Sequence, residues 1–322
     1  MSYATKQQTL MDTIQNKRIC HFLYVPFLGL GLYGGYRGAR HKKNRIKIFK
    51  QFVIPSLLNQ TNRDFTVWVS WRYEDKNDQD ILALKGYIDK MGLKSVFTFS
   101  GVCFWDDKYP DDIAKKRLID TIRGSMGELL NTMGECEEVL MTIQPSDDCY
   151  FSSMVQETQS FFKKNKNIHA YGYFRGYVMD YINQRLAEWN PKTTPPFYTI
   201  RFKREIFIDP LKHVQFIGPY KSHEYVKDFL PAYYSDYRGF IVGTHGENIS
   251  TIFNHPFTGQ EFWGDGIRKI LFNFGLLNIL PLKIKISMRK KIMRLLPYGW
   301  QRKLRYWLGK IWYIKLYEFL RN

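Results

Sequence analysis

Short apolar runs alternate with stretches of helical period over the first 150 residues, and this alternation narrows the fold more than any other feature of the chain. Ile19 to Val25 (ICHFLYV), Phe65 to Trp71 (FTVWVSW), Ser95 to Ser100 (SVFTFS) and Val139 to Ile143 (VLMTI) have the length and the β-branched, aromatic character of buried strands. Between them, Asn44 to Leu58 places Ile46, Phe49, Phe52 and Val53 on one helical face. Asp80 to Met91 supplies a second helix, and Asp111 to about Met133 a long third one. Strands alternating with helices predict an α/β fold with a mostly parallel, Rossmann-like central sheet. Beyond residue 170 the pattern turns irregular and β-rich, with Phe197 to Phe202 and Gly239 to Gly243 as the clearest strands.

Charge divides the chain in two. The 322 residues include 48 Lys and Arg against 30 Asp and Glu, a formal net charge of +18. Residues 267–322 hold 14 of the basic residues and one acidic residue, Glu318, so 14 − 1 = +13 sits there and 18 − 13 = +5 on residues 1–266. The asymmetry predicts a body over 1–266 and a helical basic C-terminal appendage over 267–322. Trp300, Leu304, Trp307, Leu308 and Ile311 share one helical face, while Arg302, Lys303, Arg305 and Lys310 occupy the others. Tryptophan on an apolar face flanked by Lys and Arg is the composition of a helix lying in a membrane interface. Each basic residue near an anionic leaflet adds about 1 kcal/mol of attraction. The bland alternative is a stripe packed onto the body with solvated charges. Nucleic acid is a third anionic partner, but no RRM, KH or zinc-finger pattern supports it and none is expected.

Cys20, Cys103, Cys136 and Cys149 are scattered without a C-x-x-C pair, which reads as reduced thiols and not as a disulfide framework or zinc site. The N-terminal residues lack the apolar stretch of a secretory signal, and no segment reaches the roughly 20 apolar residues needed to span a bilayer. The expected location is cytoplasmic, peripheral on the inner face of a membrane.

Few motifs carry chemistry. Gly29-Leu30-Gly31-Leu32-Tyr33-Gly34 matches G-x-G-x-x-G after a strand, but the glycine-rich stretch runs on to Gly38 and into the basic cluster Arg40 to Lys43. The second strand ends in Trp71-Arg72, without the acidic residue of a dinucleotide site, so a loop near an anionic ligand is the better reading. Ser146-Asp147-Asp148 follows an apolar strand, at the sheet edge where open α/β folds bind ligands. A carboxylate there suits Mg²⁺ or Mn²⁺, hard cations that take one or two protein oxygens and fill the rest from phosphate and water. Its plain structural reading is an Asp-Asp turn or a helix N-cap. His245, in Thr244-His245-Gly246-Glu247-Asn248, is a metal ligand, a diphosphate contact or a structural histidine. Glu224 and Asp265 are candidate general bases, each with a turn residue as its alternative. His223-Glu224 lacks the second histidine of a zincin, and P-loop, kinase and serine-nucleophile motifs are missing.

Taken together, these pieces resemble the rhamnosyltransferase-like group of GT-A nucleotide-sugar glycosyltransferases. The resemblance is carried by Arg45 through Thr61 (RIKIFKQFVIPSLLNQT) with Asp64-Phe65, by the acidic motif on its strand at 139–148, by Gly176-Tyr177 through Pro195-Pro196-Phe197, and by His245 with Asn248-Ile249-Ser250. It covers roughly residues 18–255. It implies a nucleotide-diphospho-sugar donor bound at the sheet's C-terminal edge and a glycan or lipid-linked acceptor. It also implies Asp147 and His245 on a divalent cation, Mn²⁺ or Mg²⁺, with Ser146, Asp148 and Arg45 lining the donor site. Glu224, ranked above Asp265, would be the base in an inverting transfer that serves surface polysaccharide assembly. The chain departs from the family pattern at Pro145, where an aspartate is usual, and this bears on nucleoside contacts and metal dependence. A non-catalytic descendant of the same fold, binding membrane or partner through the tail, is the rival expectation.

Overall fold

The computed structural model describes residues 18–27, 35–103, 109–217, 223–246, 248, 251–284 and 300. In chain order they form β1 (Ile19–Pro26), α1 (Gly35–Ile48) continuing through a π-helical turn (Phe49–Val53) into α2 (Ile54–Leu58), β2 (Thr66–Ser70), α3 (Gln79–Lys90), β3 (Ser95–Thr98), α4 (Asp111–Met133), β4 (Glu138–Ile143), β5 (Cys149–Tyr150) and α5 (Met154–Lys164). The second half adds β6 (Ala170–Asp180), β7 (Arg185–Trp189), β8 (Tyr198–Lys203), α6 (Arg204–Ile208), α7 (Pro210–Ile217), α8 (Val226–Phe229), β9 (Ala232–Thr244), β10 (Thr258–Phe262) and α9 (Asp265–Asn273).

The ten described strands make one mixed sheet. Its first half is the expected parallel core: β1 lies between β2 and β4, and β3 pairs with β2, all parallel. Successive residues of these strands face opposite sides. Leu23, Val25, Val67 and Val69 enter one apolar cluster with α1 to α3, while Phe22, Tyr24, Trp68 and Met141 enter another under α4 and α7. Helices thus cover both faces, and the strands can be apolar almost throughout. Trp68 and Tyr24 still satisfy their polar atoms: Trp68 Nε1 donates to Thr98 Oγ1 at 2.9 Å, and the Cys103 amide donates to the Tyr24 hydroxyl at 2.6 Å.

The second half turns the sheet antiparallel. β8 runs against β4, and β6 runs against β8 over Ala170 to Gly172 only. From Gly176 to Asp180, β6 pairs instead with β7, and β9 follows it in parallel on its other edge. The glycines of β6 explain why this strand does not stand out in the sequence. A Cβ on Gly176 would lie 2.4 Å from the Phe240 ring of β9. The residue that weakens a strand by propensity is here the one that lets its neighbour's ring lie across it.

Two further differences from expectation follow. The glycine-rich stretch is not loop throughout: α1 already begins at Gly35 and includes Gly38, whereas the G-x-G-x-x-G segment at 29–34 lies outside the described residues. Nor does the packed body stop at residue 266. Leu271, Phe274, Leu276 and Leu282 are buried in the main core, and the Leu282 amide donates to the Tyr181 carbonyl at 2.8 Å. The amphipathic helix expected in the tail falls among residues 285–322, which lie outside the described residues except for Trp300, an exposed one. All four cysteines are free thiols. Among the described residues no helix is long and apolar enough to cross a membrane.

Two buried histidines tie the fold to pH. His21 Nε2 meets Thr142 Oγ1 at 2.7 Å, and Thr142 Oγ1 meets Thr199 Oγ1 at 2.6 Å, a chain of polar contacts across β1, β4 and β8. Burial lowers His21 to about 3; burial, opposed by a bond to the Phe207 carbonyl, lowers His213 to about 4. Both rings are therefore neutral when folded, and the unfolded chain binds protons first. Stability is fully present above pH 6.5 and falls as the pH drops toward the folded values, by about 2 kcal/mol for each histidine between pH 7 and 5. Urea unfolding at the two pH values measures the loss. His213→Phe, which keeps a ring against Phe202 and Phe207, is expected to remove that histidine's own share, about 2 kcal/mol, whereas an unchanged pH slope would contradict the assignment.

Candidate active site at the C-terminal edge of the sheet

At Ile143 the chain leaves β4 through a tight turn. The Gln144 amide donates to the Tyr24 carbonyl at 2.8 Å, tying the exit to β1, and the Asp148 amide approaches the Pro145 carbonyl at 3.4 Å. Ser146 and Asp147 form the corner of that turn. The Gln144 side chain braces it from within, its Nε2 donating to the carbonyls of Pro145 at 2.9 Å and Asp148 at 2.8 Å. Cys149 and Tyr150 then pair with Ile241 and Phe240 of β9, which sets the two aspartates beside Gly243 at the end of that strand. The turn reading of Ser146-Asp147-Asp148 is thus realised, and the turn presents the acid at the sheet edge.

Asp147 faces inward, 8% exposed. Its Oδ2 is ion-paired with Arg45 Nη1 and lies 3.1 Å from His245 Nε2 and 3.4 Å from Asn248 Nδ2. Asn248 also caps the turn after β9, accepting from the His245 amide at 2.7 Å and donating to the Gly243 carbonyl at 2.6 Å. The Asp147 carbonyl accepts from the Tyr181 hydroxyl at 2.9 Å. Asp148 is turned the other way, its Oδ1 accepting the Gly243 amide at 2.8 Å.

Arg45 reaches this point from α1. Beyond it the helix widens into the π-helical turn, a local irregularity frequent at functional sites. The turn places the Phe52 ring on Tyr181 at 3.6 Å, nearly parallel, and its carbonyl toward Cys149 Sγ at 3.5 Å. The element that delivers Arg45 is therefore locked to Tyr181, which holds the Asp147 carbonyl, and to Cys149, where the chain enters β5.

The electrostatics divide the two carboxyls. Burial alone raises both. For Asp147 the Arg45 charge and the His245 bond outweigh it and hold the group well below the usual carboxylate range, so it is ionised. For Asp148, burial and then the charge of Asp147 push the group well above that range, with the Gly243 amide opposing. Burial lowers His245 to about 4, the Asp147 bond opposing, so its ring is neutral at pH 7. A carboxylate only accepts, so Nε2 carries the proton that faces Asp147.

Five sequence candidates, Arg45, Ser146, Asp147, Asp148 and His245, thus meet at one place. Glu224 and Asp265 are not among the described contacts of Asp147. Glu224 is half-buried on a single helical turn, His223–Tyr225. Asp265 is exposed on the first turn of α9, where an acid complements the positive end of the helix. Three participants escaped the sequence reading. His41 is buried one turn before Arg45 and bears electrostatically on His245; its i, i+4 spacing from Arg45 within the basic cluster was the available signal. Tyr181 and Gln144 carry no local pattern and are recruited by strand pairing alone.

As a cation site the donor set is short. The one carboxylate oxygen that faces His245 already carries Arg45, Asp148 is engaged with β9, and Pro145 supplies no ligand side chain. Among the described residues no group of three or more His, Cys, Asp or Glu is placed to hold a metal ion. The residues present do not fit a divalent cation.

No family model matches the chain, and no curated protein matches it. Among solved structures it is similar to HddC from Yersinia pseudotuberculosis, at 14% identity and a TM-score of 0.31, over 70% of this chain and 90% of that one. At that level the likeness carries no argument about function.

Gly243 tests the closeness of the site. A Cβ there would lie 2.3 Å from the Asp147 carbonyl oxygen and 2.3 Å from the Tyr181 ring, neither of which can yield without moving the turn. Gly243→Ala is expected to destabilise the protein by about 3 kcal/mol, at the upper end of overpacking. Urea denaturation checks it, and a cost under about 0.5 kcal/mol, the range of an ordinary surface substitution, would contradict the packing described.

Proposed function

We propose that the protein is a GT-A-type glycosyltransferase that moves a sugar from a nucleotide-diphospho-sugar to a glycan or lipid-linked acceptor in surface polysaccharide assembly. The observation that carries the reading is the convergence of Arg45, Asp147 and His245 at the C-terminal edge of parallel strands β1 and β4, where open α/β sheets bind nucleotides.

In the reaction, the bond from the sugar's anomeric carbon to the diphosphate oxygen breaks and a bond to the acceptor oxygen forms. The electron pair of the broken bond leaves with the nucleoside diphosphate, and the acceptor's proton goes to a base. Charge developing on the leaving oxygen needs preorganised positive groups, and Arg45 supplies a planar, fixed charge suited to phosphate oxygens. Neutral His245 spends its ring N–H on Asp147 and so steadies the carboxylate that holds Arg45. For the base we assign Glu224 over Asp265, because a half-buried carboxylate is better shielded from water than an exposed one. Attack from the face opposite the leaving group gives an inverted product. The basic tail draws the protein to an anionic membrane surface, where a lipid-linked acceptor is found.

The test is a panel of nucleotide-sugars with lipid-linked and soluble glycan acceptors, in Mn²⁺ and in EDTA. Transfer by the full chain is expected with one donor, and Asp147→Ala should reduce it by at least 100-fold. Vesicles containing anionic lipid should raise the rate of the full chain and leave a chain ending at residue 284 unaffected. A folded protein that neither transfers, hydrolyses nor binds any member of the panel would exclude the reading. Unchanged biological activity in Asp147→Ala would favour a purely binding role.

A further inference from the structure

We infer that Arg45 is the resident cation of this site and that diphosphate binding requires no divalent metal. The inference rests on the transferase reading for the identity of the ligand, and on four structural observations for the rest. First, Arg45 is 8% exposed and its guanidinium sits on Asp147 Oδ2, the oxygen a metal would share with His245. Second, that oxygen is bracketed by His245 Nε2 and Asn248 Nδ2, at 3.1 and 3.4 Å, and both present hydrogens to it. A metal needs lone pairs at those positions, and an amide nitrogen offers none.

Third, the second carboxylate is withheld. Asp148 accepts the Gly243 amide at 2.8 Å, and its carbonyl is held by Gln144 at 2.8 Å, so swinging toward Asp147 would break the pairing of the turn with β9. Fourth, Pro145 starts the same turn with no side-chain oxygen. Against these constraints, Arg45 meets the physical requirement directly. It brings one fixed positive charge, presents a fork of N–H donors that matches phosphate oxygens, and is delivered by a helix anchored through Phe52. Asp147, His245 and Asn248 act as the frame that positions it, and the basic residues near it on α1 add to the local field.

Calorimetric titration of the EDTA-stripped full-length protein with UDP, GDP, dTDP, CDP and ADP tests this. One of them is expected to bind with a Kd that changes less than twofold when Mg²⁺ or Mn²⁺ is restored. Arg45→Gln should weaken metal-free binding at least tenfold, and Arg45→Lys, which keeps the charge without the fork, should fall between; thermal melts establish that each variant is folded. Binding that is lost in EDTA and recovered with Mn²⁺ would overturn the inference while leaving the transferase reading intact. Binding by the native chain that survives EDTA but is unaffected in a folded Arg45→Gln would overturn the role of Arg45. The absence of binding by any of the five in either condition would remove both the inference and the reading beneath it.

Discussion

A buried ion pair, Arg45 with Asp147, is the interaction around which the two halves of this molecule are organised. Arg45 belongs to the helix that follows the first strand; Asp147 belongs to the turn that leaves the fourth; His245 and Asn248 come from the end of the ninth. Taking two charges out of water is costly, and the pair is tolerable because further donors satisfy the carboxylate. Removing one partner of such a pair typically costs 3–5 kcal/mol, because the other is left buried and uncompensated. An ion pair of this kind is weak as a device for stability alone. It makes better sense as a preorganised polar centre, held by a sheet edge that has little freedom to relax.

The fold arranges for that rigidity from both sides. The parallel strands bring their carboxyl ends to one edge, and the antiparallel strands, bent where β6 passes from β8 to β7, bring the end of β9 back to the same edge. Tyr181 links the systems: its ring stacks on Phe52 and its hydroxyl holds the Asp147 carbonyl. The π-helical turn is a local cost in helix geometry that sets Phe52 where this linkage needs it.

The sequence discloses this architecture unevenly, for physical reasons. The parallel core is legible because each of its strands is buried on both faces and reads as a continuous apolar run between helices of clear period. The β6–β9 layer is hard to read because its packing relies on glycines under aromatic rings, as at Gly176 beneath Phe240, which single-residue propensity counts against a strand. Asp147, Asp148 and His245 stand out because they follow apolar strands, at the sheet edge where open α/β folds bind ligands. Arg45 stands out only through the resemblance, and Tyr181 and Gln144 act through pairing partners far away in the chain, which periodicity does not encode. The charge step at residue 267 is real in composition, yet packing continues to Leu282, since apolar residues interleaved with the first basic ones still reach the core.

The proposed role of the Arg45–Asp147–His245 cluster is to hold a nucleoside diphosphate. A crystal structure of the full chain with a bound nucleoside diphosphate tests it most directly. Diphosphate oxygens are expected within about 4 Å of the Arg45 guanidinium, the range of an ion pair, with Asp147 still bracketed by His245 and Asn248. Diphosphate density at another cleft or on the basic C-terminal residues, with the cluster unchanged and remote from it, would contradict the claim.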